Sequence, residues 1–135
     1  MQLDRMAQAG RALAVVVALF WCHSAQLCAQ DLTGRWCGTW NDCKSGHDGP
    51  LRGTFSKCDD QYYHVVFTGR FFKVIPFRFA TTLDVTGHDG GKVQLSGQSR
   101  LGLFGNFSYS AEATDTNFTA NYSSRRWEGQ FLLSR

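Results

Sequence analysis

From Trp36 onward, apolar residues in this chain alternate with polar ones over short stretches broken by Gly, Asp, Asn and Ser clusters. A period of two puts successive side chains on opposite faces of a strand, whereas an amphipathic helix needs an apolar stripe with a period of 3.6. No stretch of about eleven residues or more carries that stripe, so the chain reads as all-β. About eight strands fit the pattern, at 33–41, 50–58, 61–69, 76–86, 92–98, 105–113, 117–123 and 126–134. One face of each is apolar: Trp36, Gly38 and Trp40 in the first, Phe55 in the second, Phe77, Phe79 and Thr81 in the fourth, Tyr109 in the sixth, Trp127 and Phe131 in the last. Strands with one apolar face and short connections form an antiparallel meander that must cover that face. Closing the meander into a small barrel covers it and removes both edges.

Two internal echoes favour closure. RFFKVIPFRFATTL (Arg70 to Leu83) aligns without gaps on RLGLFGNFSYSAEA (Arg100 to Ala113), placing Phe77 on Phe107 and Phe79 on Tyr109. RWCGTW (Arg35 to Trp40) likewise matches RWEGQF (Arg126 to Phe131), as expected if the first and last strands meet across a barrel seam. The opening LTGRW (Leu32 to Trp36) resembles the Gly-x-Trp start of the first strand in the calycin barrels, lipocalins and avidins. That resemblance implies an eight-stranded barrel, with Arg125 or Arg126 as the basic residue that lipocalins pack over the tryptophan from the far end of the chain. The residues those families use to hold biotin or a lipophile do not map onto this sequence. SGHDGPLRGTF and FTGRFFKVIPFRF also resemble segments of uncharacterised short secreted bacterial β-rich proteins, which implies export and no particular activity.

Residues 1–29 have the layout of a signal peptide. Arg5 and Arg11 precede the apolar run ALAVVVALFW (Ala12 to Trp21), and HSAQLCA supplies small residues for cleavage after Ala29 or Ala25. The run is too short for a membrane-spanning helix, which needs about 20 residues. A lipoprotein reading would acylate Cys28, but Leu27 stands where a small residue is wanted. The expected product is a single barrel-like domain, 30–135, secreted or periplasmic, with no transmembrane anchor once the leader is removed. Without Arg5, Arg11 and Asp4 it carries 12 basic and 10 acidic side chains and no polybasic run, so nucleic acid is not an expected partner. Arg70, Lys73 and Arg78 lie among aromatics in GRFFKVIPFRF, either as solvated charges or as an anion-binding face.

Gly-His-Asp-Gly occurs twice, at Gly46 to Gly49 and Gly87 to Gly90. Strand parity puts an even-length loop at the first copy and an odd one at the second unless a bulge intervenes, so the tetrapeptide reads as turn chemistry used in two different turns. Three cysteines remain after the leader: Cys37, Cys43 and Cys58. With Trp40 opposite Phe55, Cys37 falls opposite Cys58 on the outer side, which makes these two the candidate disulfide and leaves Cys43 unpaired. Cys43 and His47 match no compact zinc or haem spacing, and as a nucleophile and base they compete with the plainer reading of a free thiol near a turn. No other catalytic constellation, metal site or cofactor motif stands out. Asn106, Asn117 and Asn121 begin Asn-x-Ser/Thr sequons, relevant only where the host glycosylates.

The expectation is therefore a non-enzymatic β-barrel. Its interior aromatics (Trp36, Trp40, Phe55, Phe77, Phe79, Tyr109 and Trp127) either wall a pocket for a small, partly apolar ligand or interlock with glycines and alanines into the filled core of a protein-interaction module. A transmembrane barrel would need the apolar face outward and strands of about 9–11 residues, and several here are shorter.

Overall fold

A computed structural model describes residues 30–135; the leader expected over 1–29 lies outside them. Eight strands follow in order: β1 (Gly34–Asp42), β2 (Asp48–Lys57), β3 (Tyr62–Phe71), β4 (Ile75–Asp89), β5 (Lys92–Arg100), β6 (Asn106–Ala113), β7 (Asn117–Ser123) and β8 (Glu128–Ser134). Each pairs antiparallel with the next and β8 pairs with β1, so the meander closes into a barrel. The inward positions read from the alternation form one core, with Trp36, Phe55, Val65, Phe67, Leu83, Leu95 and Phe118 almost fully buried. A short 3-10 turn (Gly102–Phe104) separates β5 from β6.

The β1–β8 seam explains the RWxGx(W/F) echo. Gly38 opposes Leu133 and Gly129 opposes Asp42. A Cβ on Gly38 would lie 1.8 Å from the Leu132 carbonyl oxygen, and one on Gly129 1.9 Å from that of Asn41. Each glycine of the echo thus lets its strand approach the other across the seam.

Turns after β1, β3, β5 and β7 form one end of the barrel, the mouth; those after β2, β4 and β6 form the other, the base. The base is plugged. Leu32, just before β1, is fully buried and accepts a hydrogen bond from Trp36 Nε1 at 2.9 Å, while Trp36 packs on Phe55 and Phe118 with ring centroids 5.7 and 6.4 Å away. The guanidinium of Arg135 lies 4.4 Å over the Trp36 ring and donates to the carbonyls of Asp31, Thr33 and Asp115. The basic residue over the tryptophan is therefore Arg135. Arg125 and Arg126, expected in that role, sit in the β7–β8 turn at the opposite end, because an antiparallel return puts the start of β8 at the mouth.

The two GHDG copies serve different turns. In the first, Asn41 and Asp48 form the last pair of the β1–β2 ladder with a loop of six residues between them, and Asp42 N–H donates to the His47 carbonyl at 2.8 Å. In the second, His88 and Asp89 end β4, and Gly90 and Gly91, with φ of 54° and 87°, make a two-residue turn. That even loop is possible because the register shifts by one between Val85 and Gly87, where a bulge interrupts β4.

The register of the first hairpin overturns the disulfide expectation. Trp40 opposes Gly49, not Phe55, and Cys37 opposes Arg52. Cys58 lies six residues beyond Arg52, about 20 Å along an extended chain and outside bridging reach. Cys37, Cys43 and Cys58 are all exposed free thiols.

Candidate functional site

The core fills the base but not the mouth. A cavity of about 550 Å³ opens among the mouth ends of the strands and their turns. Trp40, Phe77, Phe79, Tyr109, Phe131 and Trp127 supply much of its wall. The rings form a continuous aromatic surface. Phe79 stacks on Tyr109 and Phe107 on Trp127, each pair within 13° of parallel, and Trp40 meets Phe71 edge-on at 5.2 Å. Trp40 Nε1 donates to the Arg70 carbonyl at 3.2 Å, which fixes the indole against the wall. Rings paired in this way present flat apolar surface with little rotamer freedom to lose on binding.

Few polar groups face this space, and most are already committed. Tyr122 Oη donates to the Asn41 carbonyl at 2.5 Å; burial, then the nearby Asp42 charge, pushes its phenol above the ordinary range, so it stays a donor. Tyr109 Oη shares a hydrogen bond with Ser99 Oγ at 2.8 Å, and burial raises its pKa despite that partner. Asp42 is buried at the rim. Burial opposes its ionisation, but hydrogen bonds from the Ser45 hydroxyl and from the N–H groups of Glu128, Lys44 and Ser45 outweigh burial and hold the carboxyl below its usual range. Its charge is spent on fixing the β1–β2 loop to β8.

Strand pairing stops short on one side of the wall. The β4–β5 ladder runs from Asp89 and Lys92 only as far as Asp84 and Ser96, although β4 continues to Ile75 and β5 to Arg100. Arg78 and Arg100, one on each of these strands, reach the cavity there, and among the described residues neither forms an ion pair or a side-chain hydrogen bond. Of the segment GRFFKVIPFRF, Arg78 is thus the basic residue that lines the cavity, whereas Arg70 and Lys73 belong to the surrounding rim.

Of the seven interior aromatics read from the sequence, Trp40, Phe77, Phe79, Tyr109 and Trp127 line the cavity, whereas Trp36 and Phe55 lie in the filled base. Phe71 was missed because β3 runs two residues beyond its expected end; continuing the alternation past Phe67 and Gly69 reaches it. Asp42, His47 and Phe104 lie in or beside turns, where periodicity carries no information. Cys43 and His47 do not act together: Cys43 Sγ points to Asn41 Oδ1, and the His47 ring sits edge-on to Phe72 at 4.7 Å. Comparison with family models, with curated proteins and with solved structures finds no match for this chain.

Proposed function

We propose that the chain is an exported, non-enzymatic barrel that binds one small, partly apolar molecule through its mouth. The observation that carries this reading is the contrast between a packed base and an aromatic-walled cavity of about 550 Å³ at the other end of the same core. Ligand sites are commonly concave, mostly apolar and about 300–1,000 Å³ in volume, with few polar groups to set orientation. Arg78 and Arg100 are the free polar groups best placed for that role, so a ligand with an apolar ring system and a polar or anionic end fits best. Export is inferred from the leader pattern of residues 1–29, in secretion or the periplasm alike. The likeness to calycin barrels gains support from Arg135 capping Trp36 at the closed end. Strands whose inward side chains are the apolar ones suit a water-surrounded barrel rather than one facing lipid all round.

The test is a titration of the barrel with an amphipathic naphthalene sulfonate dye, read by dye emission and by quenching of Trp40 and Trp127, followed by displacement with hydrophobic metabolites. Saturable binding is expected, with Trp127→Ala and Phe79→Ala each weakening it by about tenfold, equivalent to about 1.4 kcal/mol. Absence of saturable binding, together with no thermal stabilisation by any library member, would sink this reading in favour of a packed interaction module.

A further inference from the structure

The mouth differs from the rest of the surface in two ways. Seven large hydrophobic residues are exposed among the described residues, and five of them, Phe72, Val74, Ile75, Leu103 and Phe104, lie on two mouth turns. The β3–β4 and β5–β6 turns that carry them touch, with the Phe71 and Phe104 rings 6.3 Å apart, so they form one lip. Leu103 is fully exposed and Val74 is 76% exposed, and neither lines the cavity. The β3–β4 turn also holds its apolar side chain out at a cost. Phe72 and Lys73 both adopt positive φ, 51° and 64°, in a tight turn closed by Val74 N–H to the Phe71 carbonyl. Such positions favour Asn and Gly, and a bulky residue there costs about 1 kcal/mol or more; the Phe72 ring held there borders the cavity and meets His47, yet stays 61% exposed, which points to a use for the exposed part.

The second difference is charge. Lys44, Arg70, Lys73, Arg78, Arg100, Arg125 and Arg126 all belong to the mouth half, against only Asp42, Asp48 and Glu128, and the Asp42 carboxylate is bound internally. The base half leans the other way, with Asp31, Asp59, Asp60, Asp84, Asp89, Glu112 and Asp115 against Arg35, Lys57, Lys92 and Arg135. The barrel is thus a charge dipole whose positive end carries the exposed apolar lip.

We propose that the mouth docks onto an anionic lipid bilayer, with Phe72, Val74, Ile75 and Leu103 entering the headgroup boundary and the surrounding Lys and Arg side chains resting on lipid phosphates. Apolar residues flanked by basic ones are what an interfacial surface needs, because burial of the apolar tips and attraction to anionic headgroups add. A bilayer suits this lip better than a protein groove does, since Val74, Ile75 and Leu103 project from the turns outside the cavity, where they meet a surface rather than fill a hollow. The negative base faces away from the membrane. The proposal does not depend on what the cavity holds.

The experiment is co-sedimentation of the barrel, residues 30–135, with vesicles of phosphatidylcholine alone and of phosphatidylcholine containing about 30% phosphatidylglycerol. Binding to the anionic vesicles only is expected, falling by about tenfold when salt is raised to about 0.5 M. Val74→Ser with Leu103→Ser should lower that binding by about tenfold, as should Arg125→Glu with Arg126→Glu. None of these four residues lines the cavity, so dye binding in the cavity stays unchanged in both variants, and loss of docking is distinguishable from loss of the ligand site. Equal binding to neutral vesicles, no binding to anionic ones at low salt, or retention of full binding in both variants would each overturn the proposal. So would a dimer in sedimentation velocity that dissociates in the Val74 and Leu103 variant, because the lip would then be covered by a second copy.

Discussion

Arg135 shows how much one side chain can fasten. Its guanidinium joins three carbonyls from the segment before β1 and from the β6–β7 turn while stacking over Trp36, so it ties both ends of the described chain to the base plug. A planar fork with fixed donors does this; an ammonium on a flexible stem cannot serve three carbonyls and a ring face together. Arg135→Ala should therefore cost about 2 kcal/mol in urea unfolding, and Arg135→Lys should recover less than half of that. Asp42 works by charge and yields a pH signature. Its folded pKa lies below the ordinary 3.8, so the stability it contributes is fully present above about pH 5 and disappears as pH falls through 3.8 and then through the folded value. Asp42→Asn should be less stable than the native protein at pH 7, and the gap between them should narrow steadily below about pH 4 in parallel denaturation curves. A gap independent of pH would mean that the side chain acts by shape rather than by charge.

Among the elements, the β1–β8 seam is where the barrel is most exposed to a single methyl group. Gly38→Ala or Gly129→Ala puts a Cβ against opposing backbone that cannot rotate away, so each should cost about 3 kcal/mol or more, whereas Gly46→Ala, where a Cβ meets nothing within 4 Å and only the positive φ of 74° is strained, should cost about 1 kcal/mol. Thermal melts of the three variants would rank them. That the seam glycines were visible as a sequence echo, while the first hairpin's pairing was not, has a physical cause. Period-two alternation reports which face a residue takes, and sliding β2 along β1 by an even number of residues leaves every side chain on its face. Trp40 opposite Phe55 and Trp40 opposite Gly49 differ by such a slide, and the choice rests with the Asp42 loop, whose carboxylate collects hydrogen bonds in the six-residue form. The β4 bulge between Val85 and Gly87 escaped for a related reason: Gly87 has no side chain to mark its face, so the change of parity there leaves no trace in the alternation. The β3–β4 connection falls within the expected 70–75, but its tight form left no signature because Phe72 and Lys73 are not turn-forming types.

At the scale of the whole molecule, the barrel divides its core between two tasks, and neither composition nor alternation distinguishes them. The same kinds of inward aromatic fill the base around Phe55 and Phe118 and wall the cavity at Phe79 and Trp127, because alternation assigns a face and says nothing of how closely the rings on it pack. The division makes stability and binding separable by mutation. Phe118 is almost fully buried and packs on Phe55 at 5.1 Å and on Trp36 at 6.4 Å, so Phe118→Ala opens a void among groups that cannot collapse and should cost about 3–5 kcal/mol. Phe104, half-exposed at the rim, borders space that is already empty, so Phe104→Ala removes contacts on one side only and should cost about 1 kcal/mol or less. Affinity for a cavity ligand should run the other way: unchanged in Phe118→Ala wherever the protein stays folded, and reduced by about fivefold in Phe104→Ala, which loses part of the aromatic wall beside Trp127. Unfolding curves and dye titrations on the same two preparations measure both quantities. If Phe118→Ala weakened binding as much as it weakened the fold, the base and the mouth would be one coupled core, and the barrel could not be described as a packed plug carrying a preformed site.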